Sequence, residues 1–140
     1  MIVIDAKDLV AGRIATYAAK QALMGEKISI VNAEHAVITG HKKQILADYQ
    51  RKRSMGTWAT GPFYHRSPDR LLRRIIRGML PHKQEKGKKA FKNVMCYLGI
   101  PEEFKDQKIE TIEKARITKL PNLKFMYLKE LSALLGAKGE

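Results

Sequence analysis

The sequence predicts an α/β protein, on two observations. Two short apolar, β-branched runs, Ile2-Val3-Ile4 and Ile28-Ser29-Ile30-Val31, flank a helical stretch within about thirty residues. That order implies a parallel strand pair, because a parallel crossover needs a dozen residues or more and a helix supplies them. Much further along, Val94-Met95-Cys96-Tyr97-Leu98 is a second kind of buried run, bounded by Gly99-Ile100-Pro101, and reads as the last core strand.

The elements follow in order. Ile2-Val3-Ile4 is the first strand. Residues 12–24 form a helix, since Ile14, Ala15, Ala18, Ala22 and Leu23 recur at helical spacing and Gly25 supplies a stop. Residues 28–31 are the second strand. Ala36-Val37-Ile38-Thr39 looks like a third, yet Asn32-Ala33-Glu34-His35 is too short for a parallel crossover. Three readings stay open there: a continuation past a kink, an edge strand, or no strand. Thr39-Gly40 opens a helix running to about residue 53, with Ile45, Leu46 and Tyr49 on one face.

Residues 54–66 read as a loop broken by Gly56 and Gly61-Pro62. Ser67-Pro68-Asp69 starts the next helix: serine can cap, proline suits the first helical position, and aspartate favours the positive end of the dipole. Leu71, Leu72, Ile75, Ile76 and Met79 line one side of it, and Arg70, Arg73, Arg74 and Arg77 the other. Pro81 prevents it continuing far. A basic loop leads into a short helix over 87–93, and the strand at 94–98 follows. After a mixed-charge segment, a terminal helix is expected over 122–135, between Pro121 and Gly136. Its apolar residues suggest docking onto the domain or onto a neighbour.

With 140 residues and a hydrophobic fraction of 44%, the chain reads as one domain, residues 1–140, with a real core. Within it, residues 1–100 are the core, 41–92 a basic segment and 101–140 an extension. The net charge is +13, and nearly all of it lies in the middle third. Residues 41–92 hold 15 Lys and Arg against only Asp48, Asp69 and Glu85, whereas residues 1–40 are neutral. Like charges held together repel one another, and phosphates relieve that repulsion, so the pattern points to a polyanion. No apolar run approaches the roughly 18 residues that span a bilayer. The N-terminus lacks the basic start and apolar stretch of a signal peptide. Cys96 is the single cysteine, set in an apolar run, and reads as a small buried filler. A cytoplasmic protein fits these features.

The arginine face of the 67–79 helix is the sharpest local feature. All four cations are Arg, whose forks suit phosphate oxygens, and no acid follows Asp69 to pair them. Reversing Arg73 and Arg77 to glutamate is expected to leave the domain folded. Arg51, Lys52 and Arg53 end the preceding helix, where they also complement its dipole. Lys83, Lys86, Lys88, Lys89 and Lys92 fall in or beside a glycine-containing loop, where backbone can approach a phosphate chain. Trp58, Phe63, Tyr64 and His65, beside Arg66, interleave aromatic and basic groups, as suits unpaired RNA bases. Packing and stacking are equal readings for Trp58, and packing is favoured for Phe63.

Enzymatic signals are weak. His35, His41, His65 and His82 have no metal-ligand spacing, and no cofactor is implied. Nucleophile-elbow, zinc-protease and Walker motifs are lacking, and Gly12-Arg13 opens a helix without a full dinucleotide fingerprint. Three other readings remain: an RNA or DNA regulator, a nucleotide-using enzyme, and a peripheral membrane protein using the basic amphipathic helix.

Several blocks carry a resemblance. Ile76-Arg77-Gly78-Met79-Leu80-Pro81-His82-Lys83, then Gly87-Lys88, then Val94 to Gly99, closely resemble the signature of the large-subunit ribosomal protein L-thirteen family. Val3-Ile4-Asp5-Ala6 with Gly12-Arg13-Ile14-Ala15 looks like that family's opening, and Val31-Asn32-Ala33-Glu34 with Ile38-Thr39-Gly40 resembles its second block. Residues 102–140 resemble the archaeal and eukaryotic extension. The resemblance implies a three-layer α/β/α domain around a four-stranded, mainly parallel sheet. It implies a non-catalytic role in the large ribosomal subunit, bound to ribosomal RNA and touching neighbouring ribosomal proteins, with no membrane and no small-molecule substrate. The basic positions that match the family are Arg13, Arg77, Lys83 and Lys88.

Overall fold

Alternation along three strands builds the main sheet, around which the core forms. The computed structural model describes residues 1–138. Strand β1 (Ile2–Asp5) pairs in parallel with β2 (Ile28–Val31), and β2 pairs in parallel with β4 (Val94–Cys96). On the other side of β1 lies β5 (Ile109–Glu110), so the order is β4-β2-β1-β5 and every pairing is parallel. This is the α/β class that the sequence predicts. Ile4, Ile28, Ile30, Val94 and Cys96 face one way, into the main core. Val3 and Val31 face the other way, against Phe104. Successive strand side chains point to opposite faces, so four-residue strands serve two layers.

The layers follow from the crossovers. Helix α1 (Ala11–Leu23) joins β1 to β2, and its buried Ala11, Ile14, Ala15, Ala18, Ala19 and Ala22 form the apolar stripe read from sequence. Alanine brings this helix close to the sheet. Helices α3 (Pro68–Gly78) and α4 (Glu85–Lys92) lie in the connection from β2 to β4 and pack against α1. The chain then returns across the sheet to β5. Right-handed crossovers put that return on the opposite face. A short 3-10 turn, Glu102–Phe104, covers that face and drives Phe104 onto Val3 and Val31.

The open question at 36–39 resolves as an edge strand, but of a different sheet. Strand β3 (Val37–Thr39) pairs antiparallel with β6 (Phe125–Tyr127). The fourth strand of the main sheet is β5, from the C-terminal extension. The helix expected over 122–135 is correspondingly short: α5 spans Leu128–Leu134, and the chain before it is strand. The Gly40 amide donates to the Lys124 carbonyl and the Leu128 amide to the Ala36 carbonyl, each at 2.9 Å, which brackets the strand pair. Met126 is buried between half-buried Phe125 and Tyr127, an alternation that a helix does not give. The extension thus docks on its own chain. Leu128, Leu131 and Leu135 are buried, the Tyr127 hydroxyl donates to Asp8, and Lys42 pairs with Glu130 at 3.1 Å.

Helix α2 (Lys42–Ser54) ends in Arg51, Lys52 and Arg53 as expected. Helix α3 starts at Ser67 with Pro68 at its first position, but the Ser67 hydroxyl donates to the Asp69 carboxylate instead of capping an amide.

Candidate nucleic-acid interface

The four arginines of α3 do not share one role. Leu71, Leu72 and Ile76 are buried, so the opposite flank faces outward. Arg73 Nε donates to the Val94 carbonyl at 2.9 Å and Nη2 to the Phe91 carbonyl at 3.3 Å. Its guanidinium also lies 4.0 Å above the Phe91 ring. Because β4 is the end strand, Arg73 satisfies a carbonyl that no neighbouring strand reaches. The expectation that charge reversal at Arg73 leaves the fold intact is therefore corrected. Arg74 Nη1 donates to the Phe63 carbonyl at 3.0 Å, and its guanidinium stacks 3.6 Å from the Tyr64 ring. Arg70 is exposed, 3.4 Å from His65 Nδ1. Arg77 is half-buried and makes no side-chain hydrogen bond among the described residues.

The segment between α2 and α3 is held by the same chemistry. Arg53 Nη1 donates to the Tyr64 carbonyl at 2.8 Å. Tyr49 lies half-buried beside it, and burial, then Tyr64, pushes its phenol up against the lowering influence of Arg74. Lys52 sits 5.0 Å above the Tyr49 ring, and Arg51 is exposed. Beyond these anchors the loop projects. Thr57 and Gly61 bridge, and the turn they close carries Trp58, 92% exposed. Gly56 lies against the Gly61 carbonyl, where a Cβ would collide. Phe63 is 63% exposed, so the packing role favoured for it fails: the backbone carbonyl, not the ring, anchors this loop. Arg66 reaches the Gly136 carbonyl at 3.4 Å, and its own carbonyl accepts from Ser132 at 2.6 Å.

Helix α4 presents the lysines differently from the expectation of a glycine loop. It begins at Glu85, so Gly87 is helical and buried. A Cβ there would strike the Pro81 carbonyl oxygen. Gly87 lets the helix close on the preceding turn; it does not open backbone to a phosphate. Lys83, Lys86, Lys88, Lys89 and Lys92 all remain exposed. Arg13 stands apart at the start of α1, donating to the Lys114 carbonyl at 2.8 Å. Within the basic segment, Lys42 alone is in an ion pair among the described residues. Apart from that pair, the positive surface has no ion-pair partner among the described residues.

Two cavities of about 430 Å³ and 490 Å³ lie beside α3 and share His65, Asp69, Arg70 and Cys96. Sequence reasoning missed Met95 and Leu98 as part of this surface, although strand alternation turns Met95 away from buried Val94 and Cys96. Burial pushes the Cys96 thiol up to about 12, with Arg73 lowering it and Asp69 raising it, so it is a filler and not a nucleophile. Among the described residues no three His, Cys, Asp or Glu gather as metal ligands, and no helix is long and apolar enough to cross a membrane.

Known proteins match nearly the full length of the chain. A family model described as ribosomal protein L13 matches residues 1–103. The large ribosomal subunit protein uL13 of Methanococcoides burtonii is 45% identical over 138 residues, covering 99% of each chain. That of Methanosarcina barkeri is 44% identical over 139 residues, again 99% of each. That of Haloarcula marismortui is 43% identical over 136 residues, covering 97% of this chain and 91% of its own.

Proposed function

The chain belongs to the ribosomal protein L13 family, and we infer from that membership that it is a structural constituent of the large ribosomal subunit, bound to ribosomal RNA through its basic face. Its role is not enzymatic, and ribosomal work is cytoplasmic. The observation that carries the RNA reading is a dense cationic surface with one acid partner, Glu130 on Lys42, among the described residues. Phosphate contacts would position the protein, and base contacts would be few. Arg51, Arg70, Arg77 and the five exposed lysines at 83–92 are the groups with charge to offer. Arg53, Arg73 and Arg74 shape the surface that carries them. Neighbouring ribosomal proteins are a further expected set of partners. The extension contributes strands to both sheets, which supports reading residues 1–140 as one domain. A membrane role is disfavoured, because the apolar face of α3 is already buried.

The test is salt dependence. If ~6–10 cations each meet a phosphate, affinity for purified large-subunit RNA falls by roughly 10³–10⁵ between 50 and 200 mM salt. A flat dependence, or failure to co-sediment with the large subunit, would overturn the reading.

A further inference from the structure

We propose that the groove along the outer flank of α3 takes a short unpaired stretch of RNA, with bases against Phe63 and Met95 and phosphates on Arg70 and Arg77. This deepens the ribosomal-RNA reading and rests on it. The two cavities share four lining residues, so they adjoin along a groove between the 63–66 segment and the outer edge of β4. Each has the volume of a small-molecule site, roughly 300–1,000 Å³. A duplex, whose bases are turned inward and stacked, does not fit such a groove. A strand with splayed bases does.

The walls match that occupant on two counts. Phe63, Met95 and Leu98 stand 63%, 42% and 37% exposed, which leaves large apolar faces in water beside a row of cations. A simple anion would satisfy the cations and leave those faces wet. A nucleotide covers both, since its base stacks on aromatic or apolar side chains while its phosphate meets a guanidinium. The one carboxylate among the described residues that line the groove, Asp69, accepts from the Ser67 hydroxyl. The planes of Arg73 and Arg74 are already fixed over Phe91 and Tyr64, so the groove is formed before any ligand arrives.

Photocrosslinking tests the proposal in the assembled particle. Full-length protein with benzoylphenylalanine in place of Phe63, and separately of Met95, is assembled into large subunits and irradiated. Both positions should crosslink to unpaired nucleotides close together in the RNA. Crosslinks to a neighbouring protein, to paired nucleotides, or to none overturn it. In parallel, Phe63→Ser with Met95→Ser should weaken binding of a single-stranded oligoribonucleotide roughly 5- to 100-fold. Binding of a duplex of the same sequence should not change. Both side chains are already solvent-exposed, and a thermal melt confirms that the variant folds. Equal affinity for the single strand, or equal losses for both probes, sinks the groove assignment. If the wild type still binds large-subunit RNA with steep salt dependence, only that assignment falls. If it binds no such RNA, both fall.

Discussion

Helices α3 and α4 are both cationic, and both pack against α1, yet they hold their charge in opposite ways. On α3, Arg73 and Arg74 donate to backbone carbonyls and lie flat on aromatic rings. On α4, Lys86, Lys88, Lys89 and Lys92 reach into water and bond to nothing among the described residues. The difference is chemical. A guanidinium is planar, weakly hydrated and forked, so it serves a strand's end carbonyl as readily as a phosphate. An ammonium is compact and strongly hydrated, and burying it against a neutral carbonyl gains less. A run of arginines is therefore ambiguous from sequence in a way that a run of lysines is not.

The largest expected effect tests the premise that α3 has one face in the core. Leu72 is fully buried, so Leu72→Asp puts a carboxylate where no partner waits. Loss of the cooperative thermal transition, followed by circular dichroism, is the expected result; an unchanged melt breaks the face assignment and the comparison with it.

Next is Arg73→Gln, which leaves the Val94 carbonyl unsatisfied and removes the stack on Phe91. The loss should be about 2–4 kcal/mol in urea unfolding. The salt slope of RNA binding should not change, because that guanidinium is engaged within the protein. A smaller slope with full stability would reverse the division drawn between the two helices. Gly87→Ala follows, at about 1–3 kcal/mol, since the new methyl must displace the turn at Pro81. Here too stability is the readout, and an unaltered urea midpoint would mean that α4 has room to shift.

Much of this architecture was legible from local pattern. The βαβ unit, the apolar stripe of α1 and the two faces of α3 follow from spacing alone, because each element buries its own periodic face. What escaped was decided by distant chain. Residues 122–127 carry apolar groups that suit a helix, but Phe125–Tyr127 pair with β3 nearly ninety residues earlier, and that pairing sets their conformation. Gly87 reads as the point where a basic loop turns into a short helix, and only the proximity of Pro81 shows why the helix needs a glycine there. The site divides the same way. Where the cations cluster is written in composition. Which of them are free depends on carbonyls supplied by Phe63, Tyr64, Phe91 and Val94, and no spacing rule reports those.

The smallest effect on stability is the sharpest test of the comparison. Replacing Lys86, Lys88, Lys89 and Lys92 together by glutamine removes four charges and keeps helix propensity, since lysine and glutamine rank closely. Two small changes then oppose each other. Lys89 and Lys92 favour the negative end of α4, and losing them costs a few tenths of a kcal/mol. The like-charge pairs Lys86–Lys89, Lys89–Lys92 and Lys88–Lys92, at helical spacings of three and four, are relieved by a similar amount. Unfolding free energy should therefore stay within about 0.5 kcal/mol of the wild type. RNA binding should respond instead, each lost phosphate contact lowering the salt slope by about 0.7–0.9. Retention of the full slope by this variant would mean that α4 faces away from the RNA, and Arg51, Arg70, Arg77 and Lys83 would have to carry the interface without it.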